Sequence, residues 1–413
     1  MGDGYSTLKT PQKAGVNHMS NKMMGKKRKD PMVKLIVVAV LMVLLTAGCF
    51  IGGYLVDKMG EADMASFQQV QQEVRDRNEA KKAQYELDVE AYKAKLNQSN
   101  QVNEAWPAAK AEGWDIIDLT NYPLEYPGKV TVNRADIMNN GLLLVNEWHS
   151  RPDDFSEEAV VSVAGYARND KELSSFVENN TCKLMPVAID ALMAALKDAK
   201  AVGLEGYVLK AGSTYRSYDD QYALFQKEVD RQRKNHPSYT DDKLIERAKR
   251  SVNYPGTSEY NSGLSFQLYL YQKDNAELNN ASFYETAQGK WLYENAWKYG
   301  LIFRFPKAGY PMASTTDKSY KTGVTSSLNI YRYVGKPNAE VMHHLDLCME
   351  EYIDYLMEHP HVAVFENGVK KYEITRQQVG DYASSFTVDI NRVTSNYVMY
   401  LDNMGGVITV YTY

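Results

Sequence analysis

Hydrophobic and polar positions change rhythm several times along this chain. From Leu35 to Val56 the residues read LIVVAVLMVLLTAGCFIGGYLV, with no charge, a run long enough to cross a bilayer core of about 30 Å as a helix. Residues 58–104 are rich in Glu, Gln, Lys and Ala, with apolar positions at Phe67, Val70 and Val74 and again at Tyr85, Val89, Tyr92 and Leu96. This is helical spacing in two seams separated by a stutter. After Trp106-Pro107 the pattern becomes mixed. Residues 186–202 carry apolar residues at 187, 189, 192, 193 and 196, led by Pro186 and followed by Gly203, which predicts an amphipathic helix with a proline in its first turn and a glycine stop. Tyr207-Val208-Leu209 predicts a strand, Leu142–Val145 a short buried strand or helix start, and the stretch from about Asp219 to Gln232 a helix. Beyond His359-Pro360 come β-branched and aromatic runs at 362–365, 371–374, 386–390, 397–401 and 407–411. Glu366-Asn367-Gly368 and Asp402–Gly406 lie between some of them, as hairpin turns would.

Charge orients the first run. Lys26, Lys27, Arg28, Lys29 and Lys34 precede it and Asp57, Glu61 and Asp63 follow, so the positive-inside bias makes 1–32 a disordered cytoplasmic tail, 33–56 a single transmembrane helix and the remainder extracytoplasmic. A rival reading takes Thr46-Ala47-Gly48-Cys49 as a lipobox, but the apolar run continues past Cys49 and the segment before it is long. Residues 57–105 are expected to form a helical stalk, either one solvated helix or a homo-oligomeric coiled coil. Residues 106–357 form the folded domain and 358–413 a β-rich C-terminal appendage.

Over 413 residues the net charge of −5 is spread thinly, which argues against nucleic acid as a partner. Three cysteines exclude a disulfide scaffold, and whether Cys182 pairs with Cys348 stays open. The 31 tyrosines against 11 phenylalanines suit wet grooves or polar-edged β-structure.

Four blocks in order carry a resemblance. They are Tyr215-Arg216-Ser217-Tyr218-Asp219-Asp220-Gln221; the stretch from Pro255 to Gln267, PGTSEYNSGLSFQ; the stretch from Trp291 to Pro306, WLYENAWKYGLIFRFP; and Tyr331-Arg332-Tyr333-Val334-Gly335. Together they resemble the VanY-type D-alanyl-D-alanine carboxypeptidases, zinc peptidases whose blocks read PGxSEHxxGLAxD, WLxxNAxxYGFxxRYP and, after EPWH, RYVG. The resemblance covers about residues 140–357. It implies an α+β fold with a small antiparallel sheet flanked by helices.

In that family the zinc ligands are the His and Asp of SEHxxGLAxD and the His of EPWH, with the Glu of EPWH as general base. Position by position these fall on Tyr260, Gln267, Ile330 and Ser327. A phenol is a rare zinc ligand, a neutral amide lacks the carboxylate charge, an isoleucine has no donor and a serine cannot accept a proton at neutral pH. Arg216, Gln221, Ser258 and Glu259 match the family's substrate-binding positions, and an arginine fork suits a peptide carboxylate. His343-His344 is expected to open a helix that leads to Asp346 and Glu350, its adjacent rings diverging too far to chelate one ion. The resulting expectation is a catalytically inactive relative without zinc or another cofactor, held on the bacterial membrane and binding peptidoglycan stem peptide or a surface protein. Two alternatives stand beside it: a structural or assembly protein of the cell surface, and an active carboxypeptidase with an altered metal site.

Overall fold

The computed structural model describes residues 106–167, 181–380 and 383–413, together with scattered positions between 39 and 87. The chain divides into two units, 1–87 and 88–413. In the first, the described positions are helical and exposed, with turn-to-turn bonds such as Gln72 Nε2 donating to Asp76 Oδ1 at 2.6 Å. The tail 1–32 lies outside the described residues, as does much of 33–56 and 57–105. Among the described residues no helix is long and apolar enough to cross a membrane.

The second unit is a mixed α/β fold with antiparallel sheets. Its largest sheet is five-stranded, from β1 (Trp114–Asp118), β8 (His361–Glu366), β9 (Val369–Gln378), β11 (Tyr397–Leu401) and β12 (Gly406–Thr412), in the order β1-β8-β9-β12-β11. A separate pair joins β2 (Pro127–Asn133) to β10 (Ser385–Asn391), whose Phe386, Val388 and Ile390 alternate inward. The five C-terminal runs read from the sequence are therefore strands, and they do not stand apart. Trp114 pairs with Glu366 and Asp118 with Val362, so residues 106–133 and 358–413 share their sheets. The turn between β8 and β9 places Asn367 at φ 52° and Gly368 at φ 75°, the left-handed pair that a tight hairpin of this hand requires.

The sequence predicts α1 well. It spans Pro186–Ala201, starting on its proline and burying Ala188, Ile189, Leu192, Ala195, Leu196 and Ala199. The same core takes in β3 (Tyr207–Leu209), its partner β5 (Leu268–Leu270), and a three-stranded sheet in which β7 (Tyr331–Tyr333) lies between β4 (Ser265–Phe266) and β6 (Leu301–Phe303). Helices α2 (Tyr218–Asn235) and α3 (Asp241–Ala248) close a small core of Phe225, Val229, Leu244 and Ala248. α4 (Ala287–Asn295) and the single turn α5 (Ser319–Thr322) follow.

Residues 142–145 are buried but take neither helix nor strand form. The histidine pair also departs from expectation. Pro337 starts α6 (Lys336–His344), so His343 and His344 end it, and Cys348 begins the next helix, α7 (Met349–Glu358). The break falls at Leu345–Leu347, where Asp346 has φ 52°, a conformation that cannot continue an α-helix. α7 packs Met349, Tyr352, Ile353 and Leu356 with Val362, Val364, Ile374, Ile408 and Val410 of the large sheet. Cys182 and Cys348 are both buried and are not bonded to each other.

Candidate functional site

Arg216 lies between β3 and α2, in a loop tied to a second segment by backbone bonds. Its amide donates to Tyr260 O at 3.1 Å, and Asn261 Nδ2 donates to Arg216 O at 2.7 Å. The next residue, Ser217, caps α2 by accepting from Asp220 N at 3.0 Å. Arg216 Nη1 then donates to Gln221 Oε1 at 2.6 Å, while the buried Gln221 donates from Nε2 to Asn253 O at 2.6 Å. The guanidinium is thus held 5.2 Å from the centre of the Tyr260 ring. Burial lowers its pKa, opposed by Tyr260 and Asp220, yet a guanidinium stays charged throughout the physiological range.

Tyr260 sits on a short turn, Glu259–Ser262, that Ser258 precedes as a buried cap residue. Burial pushes the Tyr260 phenol up, so it is a neutral hydroxyl at any working pH. Gln267 lies between β4 and β5, its amide donating to Ser213 O at 2.8 Å. The ladder pairs Ser265 with Arg332 and Phe266 with Tyr331, which makes Gln267 and Ile330 neighbours at the next step. Ile330 is buried, whereas Ser327 is exposed in the loop before it. A phenol, an amide and an aliphatic side chain do not make the three-donor set a catalytic zinc needs. Among the described residues no group of three or more His, Cys, Asp or Glu could hold a metal ion. The residues at these positions do not fit zinc.

Glu259, the residue before Tyr260, belongs to a buried ionic cluster. Glu259 Oε2 accepts from Arg304 Nε at 2.9 Å, Oε1 accepts from Ser265 Oγ at 2.7 Å, and Arg332 Nη1 donates to Oε1 as well. Arg304 makes a two-pronged contact with Glu350 at 2.7 and 2.9 Å, and Arg332 Nη2 donates to Gly141 O and Leu143 O at 2.9 and 2.7 Å. Burial would raise the Glu259 carboxyl, but the charges of Arg304 and Arg332 outweigh it and hold the pKa down. Glu259 is one of the positions matched to substrate binding, and its carboxylate is engaged inward by two arginines. Arg304, Arg332 and Glu350 were not singled out from the sequence. The signal was a lone arginine inside each of two apolar runs, LIFRF and IYRYV, because a charge in a buried strand needs a buried partner.

A family model described as VanY, D-alanyl-D-alanine carboxypeptidase, matches residues 182–335. The protein named putative carboxypeptidase YodJ from Bacillus subtilis is 33% identical over 216 residues, 52% of this chain and 67% of that protein. The chain belongs to the VanY D-alanyl-D-alanine carboxypeptidase family. A D-alanyl-D-alanine carboxypeptidase of Enterococcus faecium is 27% identical over 246 residues, 59% of this chain and 67% of its own length. Among solved structures, the vancomycin-resistance D,D-dipeptidase VanXYg, in complex with a D-Ala-D-Ala phosphinate analogue, aligns at 18% identity with a TM-score of 0.48, covering 70% of this chain and 99% of that one. These VanY-family relatives correct the expectation that the chain is not an enzyme. Its relatives are named as carboxypeptidases, and replaced side chains at four positions do not by themselves establish inactivity.

Proposed function

We propose that this chain is a D-alanyl-D-alanine carboxypeptidase with an altered metal site, acting on peptidoglycan stem peptides. The family match carries this reading, because both named relatives are carboxypeptidases. The Arg216 fork supports it, being half-buried, oriented by Gln221 and lying against the Tyr260 ring, since a guanidinium of this kind can pair with a terminal carboxylate. Gln221 and Ser258 act in this reading by positioning, and Glu259 by anchoring the turn that carries Tyr260. The chemical centre differs from the family's three-ligand zinc set, since Tyr260, Gln267 and Ile330 do not supply it and Ser327 is no carboxylate base.

The test is release of D-alanine from a D-alanyl-D-alanine-ended pentapeptide by the purified full-length chain, with binding followed in parallel by calorimetry. Release is expected, and Arg216→Ala should weaken peptide affinity at least tenfold with little change in Tm. A wild-type chain that releases no D-alanine overturns the proposal, whether or not it binds the peptide. The same reading puts the protein on the bacterial cell membrane with residues 1–32 inside, supported by the uncharged run and its basic flank. Protease added to intact cells should then degrade the chain beyond Asp57 and spare the tail.

A further inference from the structure

A concavity lies between the loop that follows Leu144, the turn α5 and helix α7, and Arg216 is not among its lining residues. Its volume is about 220 Å³, below the roughly 300 Å³ at which drug-sized ligand sites begin. It therefore has room for a single ring. Leu144, Ile353 and Met404 give it an apolar floor. Two aromatic rings stand at its rim in water, Trp148 at 57% exposure and Tyr320 at 68%. The polar part is an ion pair, Lys321 Nζ to Asp354 Oδ2 at 2.6 Å, together with Asn146, His149 and Glu350.

The pocket is held in shape by bonds on every side. Asn146 Oδ1 accepts from the amides of Trp148 and His149 at 3.0 Å each. Asn146 Nδ2 donates to Glu350 Oε1 at 3.1 Å, which ties the loop to the buried Arg304–Glu350 pair. The Tyr320 hydroxyl donates to Glu351. Gly323 leaves space for the indole, because a Cβ there would meet Trp148 Cη2 at 2.9 Å. Preorganisation of this kind lowers the entropic cost of binding.

The chemistry selects among ligands. Two large aromatic faces around an apolar floor suit a flat molecule with an apolar face. A neighbouring donor and acceptor in Lys321 and Asp354 suit groups that can both give and take a hydrogen bond, which is what vicinal hydroxyls do. A zwitterion would have to pull the ion pair apart. A pyranose does not, since its C–H face can lie on the ring while its hydroxyls bridge the pair, and an acetamide methyl can reach the apolar floor. We propose that this pocket binds one N-acetylated pyranose ring of a glycan chain. The loop that carries Trp148 also reaches the cleft, Arg151 N donating to Gly256 O at 2.7 Å, so the two sites share a border but not their residues.

The test is calorimetric titration of the full-length chain with the trimer of N-acetylglucosamine. Saturable binding is expected, weakened at least tenfold in Trp148→Ala and unchanged in Arg216→Ala, which separates this site from the peptide cleft. Cellotriose, with its hydroxyls but no acetamide, should bind at least tenfold more weakly. Absence of saturable trimer binding, or an affinity indifferent to Trp148→Ala, overturns the proposal. Equal binding of cellotriose overturns its acetamide part. The peptide-free disaccharide of N-acetylglucosamine and N-acetylmuramic acid distinguishes the two sources. Binding tighter than that of the trimer assigns a cell-wall glycan, and weaker binding assigns a chitin-type chain.

Discussion

Ile330 and Gln267 occupy consecutive strand ends whose neighbours, Tyr331 and Phe266, face each other in the ladder. Tyr260 lies against Arg216, and Ser327 lies three residues before Ile330. Continuing that ladder by one step would set Gln267 opposite Ile330, and these two with Tyr260 and Ser327 are the positions that match the family's metal centre. If the backbone has kept the family's geometry, restoring the donors should restore a metal site. The combined variant Tyr260→His, Gln267→Asp, Ile330→His and Ser327→Glu is expected to gain about one zinc per chain over the wild type, measured by elemental analysis after dialysis. Activity toward the pentapeptide need not rise in step, because the groups that orient metal ligands from behind also matter. A folded variant that gains no zinc would show that these positions do not converge on one point.

At the scale of the element, α6 ends in two histidines stacked on tryptophans, His343 on Trp297 at 4.4 Å and His344 on Trp114 at 4.5 Å between ring centres. Loss of water from the stacked ring faces lowers both pKa values; for His343 the neighbouring His344 and Lys298 add to the shift, with Asp346 and Glu340 opposing, and for His344 Lys371 adds while Glu340 and Glu366 oppose. A histidine whose folded pKa lies below its unfolded value of about 6.5 leaves the native state with fewer protons than the unfolded state. Its contribution is complete above that value and is lost as pH falls through it toward the folded pKa. Tm should accordingly drop between pH 7 and pH 5, and the drop should shrink in His343→Gln, His344→Gln. Glu373 is distinguishable from this effect. Burial opposes its ionisation, but His361, Tyr413, Lys370 and Asn391 hold it down to about 2, so its stability is lost only at lower pH. An unchanged pH profile in the double variant would refute the stacking argument. The α6 pair also shows where sequence reading reaches its limit. Period and punctuation placed α1 and the C-terminal strands closely, because proline, glycine and β-branched runs act locally. The end of α6 depends on a left-handed Asp346, and the carboxylate partners of Arg304 and Arg332 depend on contacts between residues 45 to 73 positions apart in sequence. No local pattern carries either.

For the whole second unit, the decisive feature is that its C-terminal strands are partners of its first ones. β8 lies between β1 and β9, and β10 is the partner of β2. The apolar side of α7 rests on this sheet, with Tyr352, Ile353 and Leu356 fully buried beside Val362, Val364 and Ile408. Removal of the segment after Glu358 would expose those side chains. Each would forfeit about 1.5–3 kcal/mol of burial, so the three together lose an amount comparable with the whole stability of a typical domain, about 5–15 kcal/mol. It would also leave β1 and β2 without hydrogen-bond partners. Leu142 and Leu144, which share the same core, precede the Asn146–Arg151 loop, so the damage would reach both the Trp148 pocket and the border of the Arg216 cleft. A chain ending at Glu358 is therefore expected to lose cooperative thermal unfolding, measured by circular dichroism, and to be digested by protease across residues 106–357 at concentrations that leave the full chain intact. A truncated chain that still unfolds cooperatively near the full-length Tm would mean that residues 106–357 fold alone and that the strand exchange is dispensable.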